Sequence, residues 1–405
     1  MSEAPEAKQV PSSATGEVHA AVTAWLDQRW DAAASKPKDA GGLRAFRAKV
    51  FEAGWAAPGW PLEWWGRGLG KDDAQAVVAA FRRVGAPGAG QDRTNIPAST
   101  LMRFASEELK RKLIPGFLTG ELSSCLLYSE PGAGSDLAAL RTRAVWNGEQ
   151  WIVNGQKVWI SGAHKADYGL LLARTNWDVP KHDGLSFFFI EMRQPGILIR
   201  PINQITGDSH FNEVFLDNAV VPAMNLLGAE GHGWRVLQTA LAVERLIMGE
   251  GAGERRQGSA ESNVVSLIAV AREAGCLGDP LIRQQIAKAT AYRQLNALNM
   301  ARAKEEMAHG SSSPIMSLGK LAMSRILHED ARVMTQILGA ASLLDGEGTR
   351  AADVNYRTAN AYMTSIGGGT DQIQRNIIGE RVLGLPRELE LDRDVPFRDS
   401  RAVRG

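Results

Sequence analysis

The stretch AVWNGEQWIVNGQKVWISG, residues 144–162, decides the fold class. Short apolar and β-branched runs, Ala144 to Trp146, Trp151 to Val153 and Val158 to Ile160, are separated by Asn147-Gly148 and Asn154-Gly155. Asn-Gly readily adopts the positive φ angles of a tight reversal, so each pair between extended runs predicts a β-hairpin. Runs of similar size follow at Gly169 to Ala173, Leu185 to Met192, Ile197 to Pro201 and Glu213 to Leu216. Their spacing predicts an antiparallel barrel or sandwich of about a hundred residues, with no parallel sheet.

Outward from this region the period changes. From His19 to about Gly120 apolar residues recur at three and four, as in Val22, Leu26 and Trp30, which predicts helices. The break between Gly54 and Gly70 holds Pro58, Pro61 and four tryptophans and reads as a loop that the tryptophans anchor. Helical periodicity returns over Trp234 to Met248, Glu261 to Arg272, Leu281 to Met307, Ile315 to Gly339 and Ala351 to Met363, the pattern of an antiparallel bundle. The expected organisation is a flexible tail over 1–15, a helical domain over 16–121, a β domain over 122–230 and a helical bundle over 231–405. The fold class is therefore α+β and multidomain.

Composition narrows the function. Forty-six Lys plus Arg against 45 Asp plus Glu leave a net charge of +1, so no whole-chain field captures nucleic acid or an anionic membrane. No apolar run reaches the length of a membrane span; Leu185 to Ile190 is strand-sized. Cys125 and Cys276 lie far apart without a C-x-x-C, which argues against a zinc cage or disulfide framework and favours a reducing cytoplasm. The amino terminus shows no secretory pattern. Gly66 to Lys71 lacks the P-loop spacing, His328-Glu329-Asp330-Ala331-Arg332 lacks a second zinc histidine, and no Gly-x-Ser-x-Gly occurs. No metal is expected.

Four segments carry candidate chemistry. Tyr128-Ser129-Glu130-Pro131-Gly132-Ala133-Gly134-Ser135-Asp136 combines small residues with hydroxyl donors, suited either to a close-lying ligand or to an interdomain turn. Trp159 and Ser161 sit two apart on a strand, hence on one face, where they either meet an aromatic cofactor or, for the indole, fill the β core. Trp234, Leu237, Leu241, Glu244 and Met248 place a carboxylate on an apolar helical stripe. Desolvation there would raise its pKa toward that of a general base, whereas Arg245 would lower it, and an ion pair to another helix is the alternative. Gly367-Gly368-Gly369-Thr370-Asp371-Gln372 opens a late helix with exposed amides, a geometry suited to an anion.

The Ser-Glu-Pro-Gly-Ala-Gly-Ser-Asp stretch, the Trp-Ile-Ser-Gly strand and the Gly-Gly-Thr-Asp-Gln-Ile-Gln-Arg turn, in this order, resemble the acyl-CoA dehydrogenase family of flavoproteins from about Gly54 to Arg387. Ile377 to Pro386 resembles its actinobacterial-type branch, which includes steroid-side-chain dehydrogenases. The resemblance implies FAD between the β domain and the bundle, reaching a neighbouring subunit. It assigns the flavin to Leu127, Tyr128, Ser129, Trp159 and Ser161, with Ser135 facing both flavin and pantetheine. It assigns the adenosine diphosphate to Gln336, Gly339, Thr370 and Gln372, and the thioester to Ser135, Arg245 and Gly368.

Two departures matter. Relatives with a glutamate before the late Gly-Thr find Gly368 here, so the resemblance moves the base to Glu244 within Ala242-Val243-Glu244-Arg245, with Glu250 in reserve. An Arg-x-x-Phe-Gly segment that reaches a partner's flavin is replaced by Arg272-Glu273-Ala274-Gly275-Cys276, leaving Arg272 as its candidate. The implied reaction is α,β-dehydrogenation of an acyl-CoA, with electrons passing to an electron-transfer flavoprotein. The implied assembly is a homotetramer, or a heteromer with a related subunit. The alternatives are a flavin-binding silent subunit and an oxidase of the same fold.

Overall fold

A computed structural model of the chain describes residues 14–30, 40–241, 243, 266–308, 316–344, 346 and 349–400. Glu244, Arg245 and Glu250 lie outside the described residues. Helix α1 (Ala14–Arg29) begins inside the span expected as tail. It is followed by α2 (Ala40–Glu52), α3 (Lys71–Val84), α4 (Gln91–Thr94), α5 (Ile96–Phe104) and α6 (Glu107–Thr119). α3 illustrates why these segments are helical. Asp72 and Asp73 occupy its first turn and Arg82 and Arg83 its last, matching the helix dipole, while Ala74, Val77, Ala80 and Phe81 recur at three or four and are buried. The loop before α3 is anchored as its tryptophans predict: Trp55 and Trp64 are buried, and the Arg67 guanidinium lies 3.8 Å over the Trp55 ring.

The β domain is one eight-stranded sheet ordered β6-β7-β3-β2-β4-β5-β8, with β1 joined to β4. The strands are β1 (Ser124–Leu127), β2 (Arg143–Trp146), β3 (Gln150–Ser161), β4 (Tyr168–Arg174), β5 (Leu185–Glu191), β6 (Ile197–Ile202), β7 (Phe211–Pro222) and β8 (Leu226–Leu227). β5 touches β7 across three intervening strands of that order, so the sheet curls toward a barrel. Pairing is mostly antiparallel, but β1 runs parallel to β4 from Ser124↔Tyr168 to Leu127↔Leu171, and β2 meets β4 in parallel at Arg143↔Arg174. Hairpin signals speak only for neighbours in sequence, so these two pairings left no trace in it.

Asn147-Gly148 turns as expected: the Asn147 side chain accepts hydrogen bonds from the Glu149 and Gln150 amides, and Trp146 pairs with Trp151. Asn154-Gly155 does not turn. β3 runs straight through it, and the register against β7 slips between Val153 and Gly155. Glycine is required there because a Cβ would stand 2.4 Å from Thr142 Oγ1, while Asn154 is held by the Asn218 amide at 2.8 Å.

A continuous core joins the helical domain to one face of the sheet. Leu101, Leu113 and Phe117 meet Tyr128, Leu170, Phe187 and Phe189, with Phe117 edge-on to Phe189 at 5.8 Å. Each such side chain contributes roughly 1.5–3 kcal/mol by leaving water. Helix α7 (residues 233–241) buries Val236, Leu237 and Ala240, the first two in the same core. The bundle follows as α8 (Leu267–Glu273), α9 (Pro280–Ala308), α10 (Met316–Leu338), α11 (Arg350–Ile366) and α12 (Asp371–Arg381).

Beyond α12 the chain returns to the β domain. Phe397 is fully buried, its amide donating to Val179 O at 2.9 Å, and the Arg174 guanidinium stands 3.4 Å over its ring. Arg174 is itself buried and donates to the carbonyls of Ala138, Leu140 and Lys181. Burial brings its pKa down to about 10, against the opposing pull of Glu130 and Asp136.

Candidate functional site

β1 delivers Tyr128 and Ser129 to a tight loop closed by paired main-chain hydrogen bonds between Glu130 and Ala133, at 2.9 and 3.1 Å. The Glu130 side chain turns inward. Its carboxylate accepts from the amides of Arg141 at 2.7 Å and Thr142 at 2.8 Å and from Lys157 Nζ at 2.9 Å. Lys157, on β3, is fully buried and gives its other two protons to Tyr128 O at 3.0 Å and Leu172 O at 2.9 Å. All three ammonium donors are thereby satisfied. Burial pushes Glu130 upward, but the Lys157 charge and the hydrogen bonds outweigh it and hold the carboxyl below its usual range. Burial pushes Lys157 down, with Glu130 opposing.

This ion pair fastens the first motif to the second. Val158 N also donates to Ser129 O at 3.0 Å. Immediately beyond, β3 bulges: the register against β7 slips between Lys157↔Val214 and Ile160↔Asn212. Trp159 sits in the bulge at φ 63°, a left-handed backbone costly for a bulky residue. Its indole is 59 % exposed and meets the edge of Phe211, 6.2 Å away. Core packing is thus excluded as its role. Ser161 is exposed on the same side of the strand, and Gly132 and Gly134 have open space around them. An uncovered indole, adjacent hydroxyls and an unobstructed glycine loop fit a flat aromatic cofactor.

The remaining candidates separate. Tyr128 is buried against Phe187 at 5.8 Å, in the core shared with the helical domain. Leu127 points its side chain into the sheet's own core, and its backbone is paired with Leu171 of β4. Ser135 is exposed, and the neighbouring Asp136 is held by Lys181 at 3.0 Å, which also pairs with Glu390 of the returning segment.

In the bundle, Gly368 and Gly369 take φ 65° and 85°, and Thr370 caps α12 by accepting from the Ile373 amide at 3.2 Å. Asp371 accepts from Lys320 at 3.0 Å and Ser324 at 2.8 Å, while Ser365 stands between Ser324 and His328 at 3.0 and 2.6 Å. Gln372 is exposed. Gln336, whose side chain accepts from Arg332, and Gly339 lie at the other end of α10, about 24 Å from Lys320 by helical rise. One chain therefore does not gather Gln336 and Gly339 with Thr370 and Gln372. Arg272 is exposed in the last turn of α8.

Glu130 and Lys157 stand inside the first two motifs, yet the sequence reading gives them no part. The available signal is a lysine inside an otherwise extended apolar strand and a glutamate inside a loop of small residues. Among the described residues no group of His, Cys, Asp or Glu could hold a metal ion, and both cysteines are free.

Three domain models match in succession: acyl-CoA dehydrogenase N-terminal domain over residues 12–121, middle domain over 125–219 and C-terminal domain over 231–383. The acyl-CoA dehydrogenase IpdE1 of Mycobacterium tuberculosis is 36 % identical over 361 residues, spanning 85 % of this chain and 88 % of that protein. Among solved structures, the Tcur3481-Tcur3483 steroid ACAD superposes with a TM-score of 0.70 at 26 % identity, covering 94 % of this chain and 99 % of that one. The ChsE4-ChsE5 complex from Mycobacterium tuberculosis gives 0.64 at 26 % identity, with 94 % and 100 % coverage. The three domain models in succession and the similarity to IpdE1, together with the exposed Trp159 beside the Glu130–Lys157 pair, place the chain in the acyl-CoA dehydrogenase family of FAD-dependent enzymes, in its actinobacterial-type branch.

Proposed function

We propose that this chain catalyses α,β-dehydrogenation of an acyl-CoA thioester to the trans-2-enoyl-CoA, with Glu244 as general base. The observation that carries the reading is Trp159, held exposed in a strained bulge beside Ser161 and tied through Lys157 and Val158 to the Ser129 loop. FAD, when bound, accepts the β hydride. The chain's part is to hold the flavin ring against Trp159, Ser129 and Ser161, to line the thioester with Ser135, Arg245 and Gly368, and to take the α proton onto the Glu244 carboxylate. The small residues Ala240 and Ala242, next to the base in sequence, support a bulky acyl group. The steroid ACAD similarity supports a steroid-derived one.

The division at 121/122 and 230/231 belongs to the same reading. So does an assembly with a second copy or a related subunit: the diphosphate candidates at opposite ends of α10 need a neighbour to complete one site, and the two solved structures above are named as pairs of proteins. An electron-transfer flavoprotein is the proposed acceptor and the cytoplasm the proposed location; among the described residues no helix is long and apolar enough to cross a membrane.

The test is anaerobic bleaching of the flavin by straight, branched, aromatic and steroid thioesters, with and without a co-expressed partner. Glu244→Gln should keep FAD and thioester binding and lose about 10²–10⁴-fold in reduction rate. Near-normal reduction assigns the base elsewhere. No bleaching in the unaltered chain favours a silent subunit, and oxygen consumption without an added acceptor favours an oxidase.

A further inference from the structure

The helical domain holds a cavity of about 490 Å³ against β1. Arg47 of α2 reaches into it through a slot cut by two glycines. A Cβ at Gly88 would meet Arg47 Cγ at 3.3 Å, and one at Gly120 would meet Nη1 at 2.7 Å. Both glycines hold positive φ, 104° and 78°, which other residues rarely adopt. Gly120 ends α6, whose C-terminal dipole makes a cation tolerable at this spot.

Tolerance is not satisfaction. Among the described residues Arg47 has no hydrogen-bond or ion-pair partner, and its Nε is buried without one. Burial holds its pKa below the ordinary guanidinium value. The amide side chains of the wall are already engaged. Gln91 donates to Gly88 O and Leu118 O, and Asn95 donates to Gln91 and Phe117 O while capping α5. The nearby Asp92 does not line the cavity; its carboxylate accepts from the Gly59 amide. The cavity thus presents an unpaired charge, a planar fork of N–H donors that matches a carboxylate.

The opposite wall is the strand that leads to the candidate site. Ser124 and Leu126 line it, while Cys125 and Leu127 face the sheet's core. Just past the strand, Tyr128 packs in the same core as Leu126 and Phe117, and Ser129 follows at about 10 Å from Leu126 by extended rise. We infer that the far end of the acyl chain enters this cavity and that Arg47 pairs there with a carboxylate, so that the substrate is the CoA monothioester of a dicarboxylic acid. The inference rests on the dehydrogenase reading of the Trp159 site and narrows its substrate class.

Calorimetric titration of the FAD-loaded protein tests it, using adipyl-, suberyl- and sebacyl-CoA and their monomethyl esters. At least one acid should bind about 10- to 100-fold more tightly than its ester, the range for a hydrogen-bonded charge. Arg47→Met should collapse that ratio toward one, and Arg47→Lys should keep part of it. Should Arg47→Met not fold, Gly120→Ala, whose methyl displaces the guanidinium, should lower the ratio instead. Equal affinity within every acid–ester pair, or a ratio that survives these changes, overturns the inference. Flavin bleaching by the esters separates the two claims: bleaching without acid preference removes only the role of Arg47, and acid preference without bleaching removes the dehydrogenase reading and leaves the acid site standing.

Discussion

The ammonium of Lys157 lies 2.9 Å from the carboxylate of Glu130, with both side chains almost wholly removed from water. The pair joins the Ser129 loop to the strand that carries the Trp159 bulge. Removing one partner strands the other charge in a dry interior. Lys157→Met should therefore cost about 3–5 kcal/mol in denaturant unfolding, and the double change with Glu130→Gln should cost less than the sum of the singles.

Acid stability should show the same pair. The Glu130 carboxyl sits below its ordinary value in the folded chain, so its contribution is complete above the ordinary carboxyl range and fades as pH falls through the folded value. Unfolding measured along an acid series should be steeper in the unaltered protein than in Glu130→Gln. Parallel curves would show that the carboxylate is not ionised by this arrangement.

Trp159 combines backbone strain with exposure, which predicts opposite effects from one substitution. Trp159→Gly should relieve about 1–2 kcal/mol of left-handed strain, and the indole gives up few contacts. Thermal stability of the FAD-free protein should hold or rise, while FAD retention through gel filtration should fall. A loss of both would mean that the indole is structural.

Gly155→Ala forces a methyl to within 2.4 Å of Thr142 Oγ1 and 2.8 Å of its α carbon. The neighbouring backbone must shift, at a cost of about 1–3 kcal/mol in denaturant unfolding. Thr142→Gly in the same chain should restore only part of the loss, because the methyl still collides with the main chain at position 142.

The two thiols should separate cleanly. Burial pushes Cys125 up to about 12, whereas Cys276 is partly exposed. In the native protein a thiol reagent at neutral pH should modify Cys276 alone, and Cys125 only after unfolding.

Helix positions were legible because their apolar spacing is local. Leu281 to Met307 and Ile315 to Gly339 were expected, and Pro280–Ala308 and Met316–Leu338 are found. The Asn147-Gly148 turn is legible for the same reason. Asn154-Gly155 carries the identical dipeptide, yet its glycine answers to Thr142, a neighbour in space that no local pattern reveals. The parallel contact of β1 with β4 is equally nonlocal. At the site, the types and order of Ser129, Trp159 and Ser161 could be quoted from the sequence. The bulge that turns the indole outward, and the burial of Lys157 that fixes both motifs, depend on register between β3 and β7.

Phe397 stacks beneath Arg174, 223 positions earlier in the chain. A ribosome adding about 5–20 residues per second reaches that phenylalanine roughly 10–45 s after the arginine. Until then the middle domain holds an unlidded guanidinium and an empty slot beside Trp177. Its completion therefore waits for synthesis of the whole helical bundle, and ribosome-stalled chains ending before Phe397 should remain open to protease at the β4–β5 connection.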